Sequence, residues 1–368
     1  MEIDKGRIGK SPKPLLLDEW QRYPHSWDMV RRAVDEGAAP GSFVLTGSAT
    51  PREATHSGAG RIVRLRMRPM TMDERAIEQP TVSFQALLDG EPQPVEGTSA
   101  LTAADYADQI VQSGFPGIRA LPNAQRSRAI SGYLDRIVEH DFAELGHVVR
   151  RPVALRAWLT AFAAATATTT SYETIAAAAT SGASETPARA TTIAYRDTLA
   201  RLWIIDQIPA WLPIRNTISA LTQAPKHFLA DPALAARLLG VGAGRLIKEV
   251  NPGKVVLGDG PLFGRLFESL AALSVHMHAQ PSGARVAHLR TDGGDHAIDF
   301  IVERDDGRVL AVEVKLANVP TTRDGRHLAW LKDKIGDTLI DSVIVTAGQQ
   351  AYRRPDGVAV VPLALLGP

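Results

Sequence analysis

Short apolar runs alternate with a helical stretch near the start of this chain, and this alternation restricts the fold more than any other feature. Leu15–Leu17 and Phe43–Leu45 have the length and apolar character of buried strands, and residues 26–36 between them have a helical pattern. A strand, a helix and a second strand in this order predict a parallel sheet covered by helices. We therefore predict an α/β protein.

The middle of the chain has a different pattern. Residues 79–99 contain several prolines and glycines and are predicted to be a loop-rich connection, and helical periodicity follows to about residue 165. A tract rich in Ala, Thr and Ser comes next, in which residues 172–179 are compatible with a helix. A second helix start at residues 186–187 and a strand-like run at residues 203–205 then predict a winged helix-turn-helix.

The last part of the chain follows a glycine-rich stretch at residues 241–260. Its predicted order is helix, strand, strand, strand, helix, strand, which again favours an α/β unit. We predict the following segments: a partial parallel sheet at 1–78, a helical segment at 79–165, a winged-helix-like segment at 166–240 and an α/β domain at 241–368.

Composition excludes several kinds of site and partner. The 368 residues include 41 basic and 40 acidic side chains, so the formal charge of +1 gives no footprint for nucleic acid or an anionic membrane. The chain has no cysteine, which excludes disulfides, thiolate metal sites and cysteine nucleophiles. No apolar run approaches about 18 residues and no secretory signal is found, so we expect a cytoplasmic protein without a membrane partner.

Acidic residues follow the first predicted strand, as in the Walker B strand of ATPases. Asp18 is suited to hold the hydrated Mg²⁺ of bound ATP, and Glu19 to orient the attacking water. Thr46 and Ser48 follow the second strand, where such ATPases have a polar residue that senses the γ-phosphate. The alternative interpretation is a pair of strands that end in polar turn residues.

A second group of acids lies on two predicted strands near the end of the chain. Asp299, thirteen residues and then Glu313-Val-Lys315 form the pattern of PD-(D/E)XK nucleases. Glu313 and Lys315 share one strand face because side chains alternate. Asp299 on the neighbouring strand would complete a hard-oxygen site for Mg²⁺, and Lys315 would stabilise the attacking water or the phosphorane. A solvated strand edge with alternating charges is the alternative.

Several motifs occur in the same order as in a known family. They are LLLDEWQRYP, FVLTGSAT, GAGRIVRLRMRPMTMDER, SGFPG and a Tyr-Leu-Asp-Arg helix, followed by the C-terminal acids. In this order they resemble the AAA-type ATPases of bacteria and archaea that end in a nuclease-like domain, and the resemblance covers nearly the whole chain. It implies a P-loop-type parallel sheet, a helical and winged-helix middle and a C-terminal PD-(D/E)XK-like α/β domain.

The resemblance also implies cofactors and site residues. Mg²⁺ and ATP are the implied cofactors. Arg61 precedes the last strand of the ATPase unit, where its guanidinium could contact phosphate, and the alternative is an ordinary surface arginine. Glu268 resembles an additional acid of the family, although the apolar stripe of its predicted helix leaves it on the opposite face. The implied sets are Asp18, Glu19, Thr46, Ser48 and Arg61 for nucleotide, Asp18, Asp299 and Glu313 for metal, and Glu19, Glu268, Asp299, Glu313 and Lys315 for catalysis.

Other polar residues have weaker signals. Arg189, Arg196 and Arg201 lie along the predicted second helix of the winged-helix segment, where phosphate contacts would be useful, but a structural helix explains them equally well. Asp295 and His296 are more simply explained as a surface pair than as metal ligands. The histidines have no zinc-binding spacing.

The sequence departs from the family at the phosphate-binding loop. Only seventeen residues precede Asp18, and the Gly-Lys-Ser of residues 9–11 resembles the end of a P-loop. However, Asp4 stands where the motif requires glycine, and Pro12 and Pro14 follow where a helix should begin. Without the loop the β- and γ-phosphates lose their ligands, so we expect weak ATP binding and interpret the start as a truncation or a misassigned start codon.

These observations lead to one main interpretation and two alternatives. The main one is an ATPase-family protein with a degenerate nucleotide site and a metal-dependent nuclease-like domain that acts on or near nucleic acid. The first alternative is a non-enzymatic DNA- or protein-binding module that keeps the family fold, because folds are often reused without their chemistry. The second is an ordinary ATPase with a misassigned start. An oligomer is compatible with each.

Overall fold

A computed structural model gives the fold of this chain, and it describes residues 12–48, 60–145, 149, 151–180, 188–212, 224–251 and 254–368. The predicted loop at residues 9–11, the predicted break at 181–182 and the predicted helix start at 186–187 lie outside these ranges. Within them, no helix combines the length and the apolar character that crossing a membrane requires.

The N-terminal segment contains the predicted strand, helix and strand. They are β1 (Leu15–Leu17), α1 (His25–Asp35) and β2 (Phe43–Leu45). Strands β1 and β2 pair in parallel, with Leu15 opposite Phe43, which confirms the prediction for this part of the chain. Trp20 stacks on Trp27 of α1 with 4.8 Å between the ring centroids, so the helix is fixed against the end of β1.

The prediction of a loop-rich connection at residues 79–99 is wrong in part. This stretch contains β3 (Val82–Ser83), α2 (Phe84–Asp89) and β4 (Gly97–Thr98). Ser83 caps α2 by accepting a hydrogen bond from the Ala86 amide at 3.2 Å, and Gly90 ends the helix with φ 73°. Two-residue strands are too short to produce an alternating pattern, and both pair with strands from the end of the chain.

The predicted helical periodicity after residue 103 is confirmed. The helices are α3 (Ala103–Val111), α4 (Pro116–Arg119), α5 (Asn123–Arg136), α6 (Phe142–Glu144) and α7 (Pro152–Ala164). A π-helical turn at Ile137–Asp141 joins α5 to α6. Helix α3 begins with a capping box in which the Thr102 amide donates to Asp105 Oδ2 at 2.7 Å.

Two predicted helices of the winged-helix segment are present, namely α8 (Tyr172–Ala179) and α9 (Arg189–Arg201). The strand predicted at residues 203–205 is wrong, because Trp203 has φ 59° and Ile205 forms only an isolated bridge with Leu229. A residue with positive φ turns the chain and cannot continue a strand. The winged-helix assignment therefore stays a prediction.

The stretch after residue 224 is more ordered than its glycines suggested. It contains α10 (Pro232–Leu238), α11 (Ala243–Leu246) and a hairpin of β5 (Ile247–Asn251) and β6 (Lys254–Leu257). The buried Asp231 caps α10, accepting from the Ala233 amide at 2.8 Å and from Ser113 Oγ at 2.6 Å. The SGFPG motif is therefore fixed to this helix by a buried carboxylate.

The C-terminal part is built on a seven-stranded mixed sheet. Its elements are α12 (Gly260–Ala279), β7 (Arg285–Arg290), β8 (Ala297–Glu303), β9 (Val309–Lys315), α13 (Arg326–Ile335), β10 (Leu339–Thr346), β11 (Gln350–Arg353), β12 (Ala359–Pro362) and β13 (Leu366–Gly367). The strand order is β4-β11-β12-β10-β9-β8-β7, and β9, β10 and β12 run parallel. The predicted order of elements from α12 to β10 is confirmed, and the protein is a mixed α/β structure.

Both faces of this sheet are covered by a helix. Leu310 and Val312 of β9 pack in the larger core with α12, whereas Val309 and Ala311 pack with Leu328 of α13. The strand is thus buried on both sides, as expected for an inner strand of a sheet that has helices on both faces. Glu313 and Lys315 come at its end, where the apolar pattern stops.

A buried charge cluster joins residues 60–72 to the rest of the molecule. Asp206 accepts hydrogen bonds from Arg66 Nη1 at 2.6 Å and from Arg68 Nε at 2.7 Å. Burial alone would raise the pKa of Asp206, but His276, which is charged in the acid range where Asp206 titrates, and the charges of Arg68 and Arg66 lower this pKa to about 2. The three side chains therefore form a charged bridge at neutral pH.

His276 of the same cluster is expected to make the protein sensitive to acid. Burial lowers the pKa of this imidazole to about 4, below the value of about 6.5 in an unfolded chain. The charge of Asp206 opposes this shift, and the charges of Arg68 and Arg66 add to it. Because the folded-state pKa of His276 is depressed, the neutral imidazole contributes fully to the free energy of unfolding above pH ~6.5. This contribution is lost as the pH falls towards 4. We expect the free energy of unfolding of His276→Gln to fall by about 2 kcal/mol less than that of wild type between pH 6.5 and pH 4.

Urea unfolding at a series of pH values measures this difference. The exposed His140 provides the matched control, since His140→Gln removes an imidazole from the surface. If wild type and His276→Gln lose the same free energy of unfolding between pH 6.5 and pH 4, then His276 is not the source of acid sensitivity.

Candidate functional site

The carboxyl ends of β1 and β2 bring the predicted nucleotide-site residues together. Thr46 Oγ1 donates a hydrogen bond to Asp18 Oδ1 at 2.5 Å. Gln21 Nε2 donates to Glu19 Oε2 at 2.7 Å and to Ser48 Oγ at 3.2 Å, so this amide connects the other two predicted residues. Sequence reasoning gave Gln21 no role, because nothing in its spacing distinguishes it from an ordinary surface amide.

Arg61 is bound to the helix of the same segment. Its Nε lies 2.5 Å from Asp35 Oδ1, at the carboxyl end of α1. Both side chains are about 40% exposed, and an ion pair of this kind contributes little to stability. The predicted contact of Arg61 with phosphate therefore stays a prediction.

The structure also brings the C-terminal acids and lysine together. Lys315 Nζ donates to Glu313 Oε1 at 2.6 Å, as the alternation of side chains along β9 predicts. Asp299 of β8 reaches the neighbouring strand and accepts from the Val314 amide at 2.9 Å. Glu268 of α12 is directed at the same place and is buried there, which answers the question of the face on which it lies.

A second lysine completes this cluster, and sequence reasoning missed it. Lys226 Nζ donates to Glu268 Oε1 at 2.7 Å and to Asp299 Oδ1 at 2.9 Å. The lysine precedes these acids by 42 and 73 residues and belongs to a segment without a recognisable motif. No local pattern in the sequence indicates such a contact. We refer to Lys226, Glu268, Asp299, Glu313 and Lys315 as the acidic cluster.

The electrostatics of the acidic cluster indicate a shortage of positive charge. Burial and the charge of Asp299 raise the pKa of Glu313 to about 8 and that of Glu268 to about 7. Burial would also raise the pKa of Asp299, but the charges of Lys226 and Lys315 outweigh this effect and keep the pKa below its usual value. Three carboxyl groups thus share two ammonium groups, and the two glutamates retain protons more strongly than exposed glutamates do.

We tested whether these residues fit a divalent cation. Carboxylate oxygens are the donors that Mg²⁺ prefers, and the buried Glu313 Oε2 has no hydrogen-bond partner among the described residues. However, the Lys226 ammonium already lies between Glu268 and Asp299. In the described ranges, no three His, Cys, Asp or Glu side chains are grouped so that they could hold a metal ion. As arranged, the cluster does not fit a divalent ion.

An aromatic group lies beside the cluster. His296 stacks on Trp330 of α13 with 4.1 Å between ring centroids and 9° between ring planes. His296 Nδ1 lies 3.3 Å from His327 Nδ1. Burial, followed by the positive charges of Arg326 and Lys315 among others, lowers the pKa of His327. His296 therefore packs against Trp330 and His327 of α13, which the interpretation of a surface pair with Asp295 did not include.

Arg196, one of the arginines predicted to contact phosphate, has partners within its own segment. Its Nε donates to Asp197 Oδ1 at 2.8 Å, and its guanidinium carbon lies 5.2 Å from the centroid of the Tyr172 ring. These contacts favour the structural role that the sequence left open for this residue.

Comparisons with known protein families match three successive parts of the chain. Residues 2–76 match a family described as AAA domain, and residues 103–245 and 263–366 match two different families described as domains of unknown function, DUF8612 and DUF4143. Uncharacterized proteins of Mycobacterium tuberculosis and Mycobacterium bovis are each 26% identical over 355 residues, covering 95% of this chain and 68% of the relative. No solved structure matches. The matches at the two ends support an AAA-type ATPase family, and the AAA domain suggests an ATPase-like nucleotide-binding function.

Proposed function

We propose that this chain is an AAA-family protein whose C-terminal domain is a nuclease-like unit of the PD-(D/E)XK type, acting on or near nucleic acid. The observation that carries the proposal is the convergence of Asp299, Glu313 and Lys315, with Glu268, at the end of strand β9. Acids from two adjacent strands and a lysine two residues after the second acid form the arrangement that phosphodiester hydrolysis requires in such enzymes.

The charge of the cluster supports a phosphodiester as substrate in a specific way. Lys315 is the most exposed member of the cluster, with 31% of its side chain accessible. Its pKa is raised, although burial opposes this, because Glu313 and Asp299 lie close to it. Lys315 therefore carries a full charge at neutral pH, where it would stabilise negative charge that develops on the phosphate.

Mg²⁺ remains the proposed cation of this domain, with Asp299 and Glu313 as its proposed ligands. When bound, such an ion supplies Lewis-acid activation of the phosphate and of the attacking water. In its present arrangement, however, the cluster does not fit a divalent ion. The chain itself contributes the positive charge of Lys315, which lies beside Glu313 and Asp299.

For the N-terminal segment we propose ATP as the nucleotide and a second Mg²⁺ at Asp18. Support comes from the AAA domain match and from the hydrogen bond between Thr46 and Asp18 at the ends of the two parallel strands. Glu19 and Ser48, which share Gln21 as a partner, are the proposed residues for the attacking water and the γ-phosphate.

Cleavage of defined substrates tests the nuclease proposal. We expect the full chain with millimolar Mn²⁺ to cleave single- or double-stranded DNA or RNA. Asp299→Asn should lower the rate by at least about 100-fold, because it removes a charged group from the reacting centre. Asp333→Asn on the exposed face of α13 is the matched control.

Two outcomes would count against the proposal. Equal cleavage by wild type and by Asp299→Asn would mean that the acidic cluster is not the site of the reaction. Binding of all the substrates without cleavage of any would favour a non-enzymatic module that keeps the family fold.

A further inference from the structure

Lys226 is held at the centre of the acidic cluster by a segment that does not belong to the C-terminal sheet. Its amide donates to the Ile208 carbonyl at 2.9 Å, and the Ile208 amide donates back to the Lys226 carbonyl at 2.9 Å. The backbone of the lysine is therefore fixed on both sides by a short antiparallel pairing. The ammonium group is brought to Glu268 and Asp299 from residues that precede α12.

The surroundings of the Lys226 side chain leave little room for water. The side chain is 10% exposed, and its two partners Glu268 and Asp299 are 14% and 17% exposed. The Phe300 ring lies below the ammonium, with its centroid 5.8 Å from Nζ. An ammonium that is buried, hydrogen-bonded to two carboxylates and fixed through its backbone is a stable part of the resting structure.

The Lys226 ammonium occupies the point at which a metal ion bound by Glu268 and Asp299 would lie. Oxygens of Glu268 and Asp299 surround one positive centre at 2.7 and 2.9 Å. A divalent cation bound by the same oxygens would lie at about 2.0–2.6 Å from each of them. An ammonium and a divalent cation cannot occupy this point together, because their charges repel and their volumes overlap.

We propose that Lys226 is a tethered cation which closes the Glu268–Asp299 pair to divalent metal ions in the resting protein. The inference relies on the proposed function for the role of the site, but it concerns the binding of cations and not the cleavage of nucleic acid. It explains why three acids converge in a cluster that does not fit a divalent ion.

Mn²⁺ binding to the full chain and to Lys226→Met tests the inference. Methionine keeps the length and apolar stem of lysine and removes the charge. We expect calorimetry to give at least tenfold tighter Mn²⁺ binding for Lys226→Met than for wild type, and the same Mn²⁺ concentration to raise the melting temperature of the variant more than that of wild type. Lys332→Met, which removes an exposed lysine of α13, should bind Mn²⁺ like wild type.

Two further variants locate the ion and guard against loss of the fold. Lys226→Met with Asp299→Asn should lose the gained affinity, because Asp299 is a ligand of the opened site. If Lys226→Met alone fails to fold, the double variant Lys226→Met with Glu268→Gln replaces it. This variant removes one charge of each sign, so no carboxylate of the Lys226–Glu268 pair is left without its counter-charge. The same double variant should still bind Mn²⁺ more tightly than wild type, through Asp299, because the ammonium no longer lies against that carboxylate.

The results distinguish this inference from the proposed function. Equal Mn²⁺ affinities of wild type and of the Lys226 variants would overturn the inference, even if wild type cleaves nucleic acid. Tighter Mn²⁺ binding by the variants supports the inference, even if neither protein cleaves any substrate. In that second case the nuclease proposal fails and the tethered cation remains.

Discussion

Replacing Asp206 by asparagine is expected to lower the free energy of unfolding by about 3–5 kcal/mol, because it leaves two buried guanidinium groups without their counter-charge. The side chains of Asp206 and Arg68 are each 9% exposed and that of Arg66 is 18% exposed. Desolvated charges of this kind are costly when one partner of the bridge is removed. Urea unfolding at neutral pH measures the loss.

Asp197→Asn is the matched control for this change. Asp197 also pairs with an arginine, Arg196, but 56% of its side chain is exposed, so its loss should cost at most about 1 kcal/mol. A loss below about 1 kcal/mol for Asp206→Asn as well would mean that Arg66 and Arg68 find water or other acceptors. In that case the cluster is not what holds residues 60–72 to the molecule.

If the acidic cluster cleaves nucleic acid as we propose, Lys315→Met should lower the rate by about 10²–10³-fold, because it removes the positive charge proposed to stabilise the developing charge on phosphate. The fold should change little, since Glu313 has a raised pKa and can remain protonated without its ion pair. Single-turnover rates and melting temperatures of the same preparations separate the two effects.

Two other variants make this result specific. Lys315→Arg keeps the charge and should recover part of the rate, whereas Lys332→Met removes a lysine from the exposed face of α13 and should leave the rate unchanged. A Lys315→Met protein that cleaves as fast as wild type would exclude Lys315 from the reaction. The remaining acids would then need another source of positive charge.

Local patterns were sufficient to predict much of the fold. The order of elements from α12 to β10 was predicted correctly, because strands such as Val309–Lys315 are continuous apolar runs that end in charged side chains. The pairs formed by β3 and β4 were not predictable, since Gly97 pairs with Ala351 far along the chain and two residues leave no periodic signal. Trp203 was misassigned because a β-favouring side chain does not reveal a positive φ.

The candidate site shows the same limit. Glu313 and Lys315 were predicted to lie together because a period of two along one strand is a local property. The contacts of Lys226 with Glu268 and Asp299 depend on how three distant segments pack, and no spacing in the sequence indicates them. The chemical roles of these residues stay predictions that the experiments above address.

Strand β4 has a consequence for how this protein is divided. Residues 97–98 form one edge of the C-terminal sheet, and residues 82–83 pair with the last strand of the chain. A fragment cut at residue 241 would lack both strands and would present bare backbone donors and acceptors along β11 and β13. We expect such a fragment to associate with itself through these edges, because the seven-stranded sheet is discontinuous in sequence and is complete only with its upstream strands attached.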